Sequence, residues 1–308
     1  IIPSLVVIAL FQMVFTVYYS FRMFKPRYSF SRRLLCKGFG MIKLGFAFVV
    51  AGIFGSGAEF FIRSYLNTAS SLDVVGLYNA GYMMTMTYAG LVFSAMETDY
   101  FPRLSSIEGT GAELNKAVNE QMEVSLLVVS PLLVAFIVSQ PILLPLFYSG
   151  KFLPAMKMIQ IMILAMYLRA VKLPVAYIPL AKGDSKSYLL MESLYDLALV
   201  LLVIFCFENW GLTGAGIAVL VAAIFDFFLL FVYMGWRYDF RLSSNILRFM
   251  LLQLPIGALA FSLTFQSYGW LYWLEGAMLF LVSIGITLQI LRRKTHIIEF
   301  LRKKIVKK

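Results

Sequence analysis

Apolar runs of about 20 residues recur along the whole of this 308-residue chain, and each is long enough to cross a ~30 Å hydrocarbon core as a helix. Backbone groups in hydrocarbon must be satisfied within their own segment or a closed sheet, so only helices and barrels remain open to such a chain. A barrel would alternate apolar and polar residues in strands of about ten. Here the runs are continuous. The expected fold is all-α, a polytopic transmembrane helical bundle. Charged residues make up only 14% of the chain, against about 25% in soluble domains, too few to clothe a water-facing surface.

Nine spans are expected, at roughly 1–21, 39–62, 75–97, 124–147, 156–181, 188–207, 211–236, 249–267 and 272–291. The first run opens at Ile1 without a Met, a basic n-region or a small-residue cleavage site, so it reads as a span and not a signal peptide, with further residues expected upstream. Most of the 27 Lys and Arg follow odd-numbered spans, among them Arg22, Arg33, Arg103, Lys182, Arg237 and the tail from Arg292 to Lys308. The positive-inside rule makes those loops cytoplasmic. Residue 1 is then expected outside and Lys308 inside, in a plasma (inner) membrane. Cys36 and Cys206 fall at opposite ends of their spans and are not expected to pair.

The net charge of +11 does not point to nucleic acid, because the basic residues alternate with spans instead of gathering on one soluble module. In the tail, Ile297, Ile298, Leu301 and Ile305 lie at helical spacing among lysines, which suits either a helix on an anionic leaflet or a plain topology anchor. The one histidine, His296, lies in that tail, which disfavours histidine metal sites and Ser-His-Asp hydrolysis. No cofactor, metal or catalytic residue is expected. Glycines near Lys43 match no phosphate-binding loop. Gly52, Gly55 and Gly57, like Gly211, Gly214 and Gly216, are expected to admit close helix neighbours.

Four local patterns occur in a telling order. The second span carries Ala58-Glu59-Phe60-Phe61-Ile62-Arg63. Val75-Gly76-Leu77-Tyr78-Asn79-Ala80-Gly81-Tyr82 opens the third, which closes on Tyr100-Phe101-Pro102-Arg103-Leu104-Ser105. Leu144-Pro145-Leu146-Phe147-Tyr148-Ser149-Gly150-Lys151-Phe152 follows the fourth. This series resembles the polysaccharide flippases of the multidrug, oligosaccharidyl-lipid and polysaccharide exporter superfamily, the Wzx-type O-antigen and capsule transporters. The resemblance implies two six-helix lobes and a terminal pair, with the nine spans matching helices six to fourteen. Residues 1–38 would then be the last helix of an absent first lobe with its cytoplasmic linker, 39–236 a MATE-like second lobe, and 237–308 the terminal pair and basic tail. It further implies a lipid-linked oligosaccharide as substrate, membrane lipids and polysaccharide polymerase machinery as partners, and transport without bond-making. Where family members often have Asp-Arg near the outer end of the seventh helix, this chain has Glu59 and, four residues on, Arg63, which count among the candidate ion-coupling or counter-charge residues although they depart from the family pattern.

Ionisable residues inside spans are costly and mark cavities or buried pairs. Arg169 and Lys172 lie three apart, on one helix face. They suit the pyrophosphate of an undecaprenyl-linked oligosaccharide, or are neutralised by Asp226, Glu192 or Asp196. Lys43 either lines a cavity mouth or snorkels. Asp226 reads as an ion-coupling group or a counter-charge; Glu192 and Asp196, four apart, must be paired or protonated. Pro174 and Pro179 are expected to kink the fifth span. Two other functions fit such a chain: a drug or organic-cation exporter, whose cavity would be lined by carboxylates, and an integral membrane glycosyltransferase or polymerase. The latter calls for a large external loop with catalytic residues, whereas the longest expected here is 63–74.

Overall fold

A computed structural model describes residues 2–23 and 32–294. Described residues are helical apart from short turns: α1 Ile2–Met23, α2 Arg32–Ala69, α3 Leu72–Tyr82, α4 Ala89–Ser106, α5 Ala112–Phe147, α6 Met156–Ala181, α7 Ser185–Tyr238, α8 Ser244–Leu263 and α9 Trp270–Lys294. A π-helical turn, Met83–Tyr88, joins α3 to α4, and a 3-10 turn, Gly150–Ala155, precedes α6. The expected spans coincide with these helices apart from 249–267, whose last residues run past the end of α8, and among the described residues six helices are long and apolar enough to cross a membrane. Residues 1–43, with α1 and the start of α2, and residues 44–308, with the remaining helices, form separate units.

At 1.5 Å per residue, the 54 residues of α7 would reach about 80 Å if straight. They do not run straight. Gly211, at φ 56° and ψ −141°, takes a left-handed conformation that breaks the helix and that a residue with a Cβ rarely adopts. The chain doubles back, so 185–210 and 212–238 are antiparallel arms and account for two of the expected spans. At the far end Ser187 Oγ and Tyr233 Oη share a hydrogen bond of 2.6 Å. Next to the turn, a Cβ on Gly214 would lie 2.6 Å from the Cys206 carbonyl carbon, and one on Gly216 would lie 2.7 Å from the Met158 carbonyl oxygen on α6. Gly55 admits the Asp196 carboxylate at 3.6 Å. Gly52 and Gly57, in contrast, have no neighbour for a Cβ to meet. Among the described residues no atom lies within 4 Å of a Cβ at either position, so close packing accounts for only part of the glycine pattern.

Two groups of polar contacts tie the elements together. Asn115 and Asn119, near the start of α5, accept from Arg241 N–H at 2.9 Å and Ser243 N–H at 2.8 Å and donate to the Asp239 and Arg241 carbonyls, both at 3.0 Å. The linker 239–243 is thereby held as a strand partner would hold it. Deeper in the bundle, Gln253 of α8 accepts from Ser283 Oγ of α9 at 2.8 Å, and Thr287 Oγ1 donates to the Leu127 carbonyl of α5 at 2.9 Å. Such hydrogen bonds replace the hydrophobic drive that helices in lipid lack. α6 runs unbroken through Pro174 and Pro179, so the expected kinks do not divide it.

Asp184 caps α7, accepting from Ser187 N–H at 3.2 Å, Ser187 Oγ at 2.8 Å and Tyr238 Oη at 2.9 Å. Burial works to raise its pKa, but these bonds and the Arg237 guanidinium outweigh it and hold the carboxyl below the usual carboxylate range. A carboxylate depressed on folding adds stability above its unfolded pKa and loses it as pH falls through the folded value. Asp184→Ala is therefore expected to cost about 1–2 kcal/mol at neutral pH, the scale of a lost N-cap. Thermal melts of wild type and variant in detergent should converge below about pH 4.

Candidate functional site

The two arms of α7, together with α6 and the π-helical turn, enclose a cavity within the apolar bundle. Its walls come from helical stripes: Ala165, Leu168, Arg169 and Lys172 of α6, Glu192 and Tyr195 of the first arm of α7, and Val219, Ala223 and Asp226 of the second. The steps of three and four residues place each set on one face. Met86, on the π-helical turn, also lines it.

Inside the cavity the two cations differ. Lys172 Nζ forms an ion pair with Asp226 and lies 4.9 Å from the centroid of the Tyr195 ring. The side chains of this pair are 15% and 3% exposed, so the charges neutralise each other away from water. Arg169 Nη1 donates instead to the thioether of Met86 at 3.2 Å, a weak acceptor. Among the described residues no carboxylate comes within 4.0 Å of the Arg169 guanidinium. The Glu192 carboxylate acts on Lys172 from further off, and among the described residues it too has no ion-pair partner within 4.0 Å. Among the described residues, Arg169 and Glu192 are thus the two charged groups of the cavity wall outside an ion pair.

Other sequence-selected residues fall outside this wall. Glu59 and Arg63 pair one helical turn apart at 3.0 Å, with Tyr82 Oη donating to Glu59 and Arg63 Nε donating to Asn79 Oδ1 at 2.7 Å. The guanidinium also lies 5.6 Å from the centroid of the Tyr82 ring. This knot joins α2 to α3 through the residues of the second sequence pattern. Asp196 lies against Gly55 of α2 and does not line the cavity. Lys43 is on α2, but its side chain lies outside the described residues, as do Cys36 and the tail from residue 295. Among the described residues no cluster of ligands could hold a metal ion. Sequence reading did not anticipate Met86 and Tyr195 in the cavity wall. Apolar and aromatic residues are too common in such spans to stand out.

The family model described as polysaccharide biosynthesis protein matches residues 1–157. The chain belongs to that family. No curated protein matches it. Among solved structures it is similar to "Lipid II flippase MurJ, inward closed conformation", with a TM-score of 0.66, 15% identity and 92% of this chain covered. The likeness is one of fold, and this chain spans 60% of the length of that one.

Proposed function

We propose that this chain is the second lobe and terminal helix pair of a flippase that moves a lipid-linked oligosaccharide across the inner membrane by alternating access. The substrate in this reading is an undecaprenyl-pyrophosphate-linked repeat unit of O-antigen or capsule. The supporting observation is Arg169, a cation without a carboxylate partner that faces a cavity deep in a transmembrane bundle. A lipid-facing cation would cost ~2.5–3.5 kcal/mol even on the lenient scale, so such a side chain is kept for a function or a buried pair. A pyrophosphate offers oxygens in the geometry a guanidinium fork accepts. Glu192, on the α7 wall of the same cavity, can accept from sugar hydroxyls. A glycosylated pyrophosphate satisfies both groups at once, whereas an organic cation would leave Arg169 opposed. Lys172 in this reading is balanced by Asp226 and sets the field around the anion without being its main anchor.

Under this proposal residues 39–236 make the lobe that faces an N-terminal half, 237–308 pack beside it, and the basic loops face the cytoplasm. Arg169→Ala in the full-length protein should abolish surface polysaccharide at an unchanged level of protein in the membrane. Arg169→Lys should restore only part of it, because the fork is lost. Glu192→Gln, which still accepts hydrogen bonds, should retain more export than Glu192→Ala. Normal export from Arg169→Ala would refute the assignment.

A further inference from the structure

The group that meets Arg169 comes from an unusual place. In the π-helical turn Met83–Tyr88 the chain carries more residues per turn than an α-helix does, a form found mainly as short bulges and often at functional sites. Thr85 Oγ1, within it, donates to the Gly81 carbonyl at 2.8 Å and lies 3.3 Å from that of Tyr82, a back-bonding pattern that slightly destabilises and bends helices. The turn is held at both flanks. On one side Gly81 packs without a side chain against Met158 of α6, where a Cβ would also come within 3.1 Å of Ile159. On the other, Tyr100 Oη donates to the Pro174 carbonyl of α6 at 2.8 Å. Between these two attachments to α6 the bulge sets Met86 against Arg169, which lies on the same helix.

We infer that Met86 is a displaceable cover of the Arg169 guanidinium, a positioning residue that an incoming phosphate must replace. This rests on the anion-binding reading of Arg169 given above. A thioether is a weak acceptor and carries no charge, whereas a phosphate oxygen makes a charge-assisted bond roughly twice as strong as a neutral one. The exchange therefore favours the anion, while the sulfur keeps the guanidinium from standing without any acceptor. The bulge supplies the movable element, because a π turn can shift along a helix without breaking the helices on either side.

Acceptor strength at position 86 should set the affinity for the anion. Inorganic pyrophosphate serves as the probe, titrated calorimetrically into the full-length protein in detergent. Met86→Leu keeps the bulk and removes the acceptor, and should tighten binding about three- to tenfold, the scale of one lost competing hydrogen bond. Met86→Gln offers a stronger acceptor in a chain of similar length and should weaken binding by a similar factor. A packing role alone would move both variants in the same direction. Equal affinities in wild type, Met86→Leu and Met86→Gln, with binding still lost in Arg169→Ala, would overturn the cover and leave the anion site standing. Binding that survives in Arg169→Ala would instead overturn the site itself.

Discussion

Lys172→Met, with Asp226 left in place, is expected to destabilise the folded protein by about 3–5 kcal/mol, the cost of leaving one member of a buried ion pair without its partner. Asp226 is 3% exposed and its carboxylate is paired with the Lys172 ammonium, so removing the cation leaves a charge that water cannot reach. The double replacement Lys172→Met, Asp226→Leu should recover most of that loss, because apolar residues of similar volume often replace buried ion pairs at little cost. Thermal unfolding of the three variants in detergent measures the cycle. It also separates two roles. A stable double variant that still exports polysaccharide shows that Lys172 serves to balance Asp226. A stable double variant that exports nothing shows that Lys172 also contacts the substrate, contrary to the division of labour proposed here. A single Lys172→Met variant as stable as wild type would contradict the buried pair itself.

Substitution of Gly214 should be nearly as damaging for a different reason. The reversal at Gly211 brings the second arm of α7 back so closely that a Cβ at position 214 would overlap the Cys206 carbonyl. That obstacle is backbone and cannot rotate aside, so the arms must separate or the turn must reform. Gly214→Val is expected to cost about 3 kcal/mol or more, at or beyond the upper end of overpacking penalties, and to lower the amount of folded protein in the membrane. Gly57→Ala is the control. No described residue lies within 4 Å of a Cβ there, and alanine is the better helix former by about 1 kcal/mol, so its stability should equal or slightly exceed wild type. Equal melting of Gly214→Val and Gly57→Ala would argue against the tight hairpin.

The spans were legible in the sequence because lipid imposes one simple requirement, an unbroken apolar run of helical length, and among the described residues six helices meet it, the folded-back α7 supplying two of the expected runs. The break between 207 and 211 was legible for the same reason, since the polar Glu208 and Asn209 interrupt the apolar run. Which glycines pack was not. Gly52 and Gly214 look alike in sequence, and only the neighbouring helix distinguishes them. The site was half legible. Charge inside a span flags Arg169, Lys172, Glu192 and Asp226 without alignment or structure. Which carboxylate Lys172 would choose depends on rotation of two antiparallel arms about each other, and periodicity alone does not report that. Met86 carried no signal at all, because its contact depends on a π-helical turn that shifts the register of the residues after it.

Arg169 is expected to contribute directly to translocation of a pyrophosphate-linked saccharide. The measurement is flipping of a fluorescent undecaprenyl-pyrophosphate-linked sugar in proteoliposomes that contain the full-length protein, read as loss of protection from a membrane-impermeant quencher. Wild type should flip the probe, Arg169→Ala should reduce the rate to that of empty liposomes, and Arg169→Lys should fall between them. Wild-type rates from Arg169→Ala, reconstituted at equal protein density, would contradict the central claim.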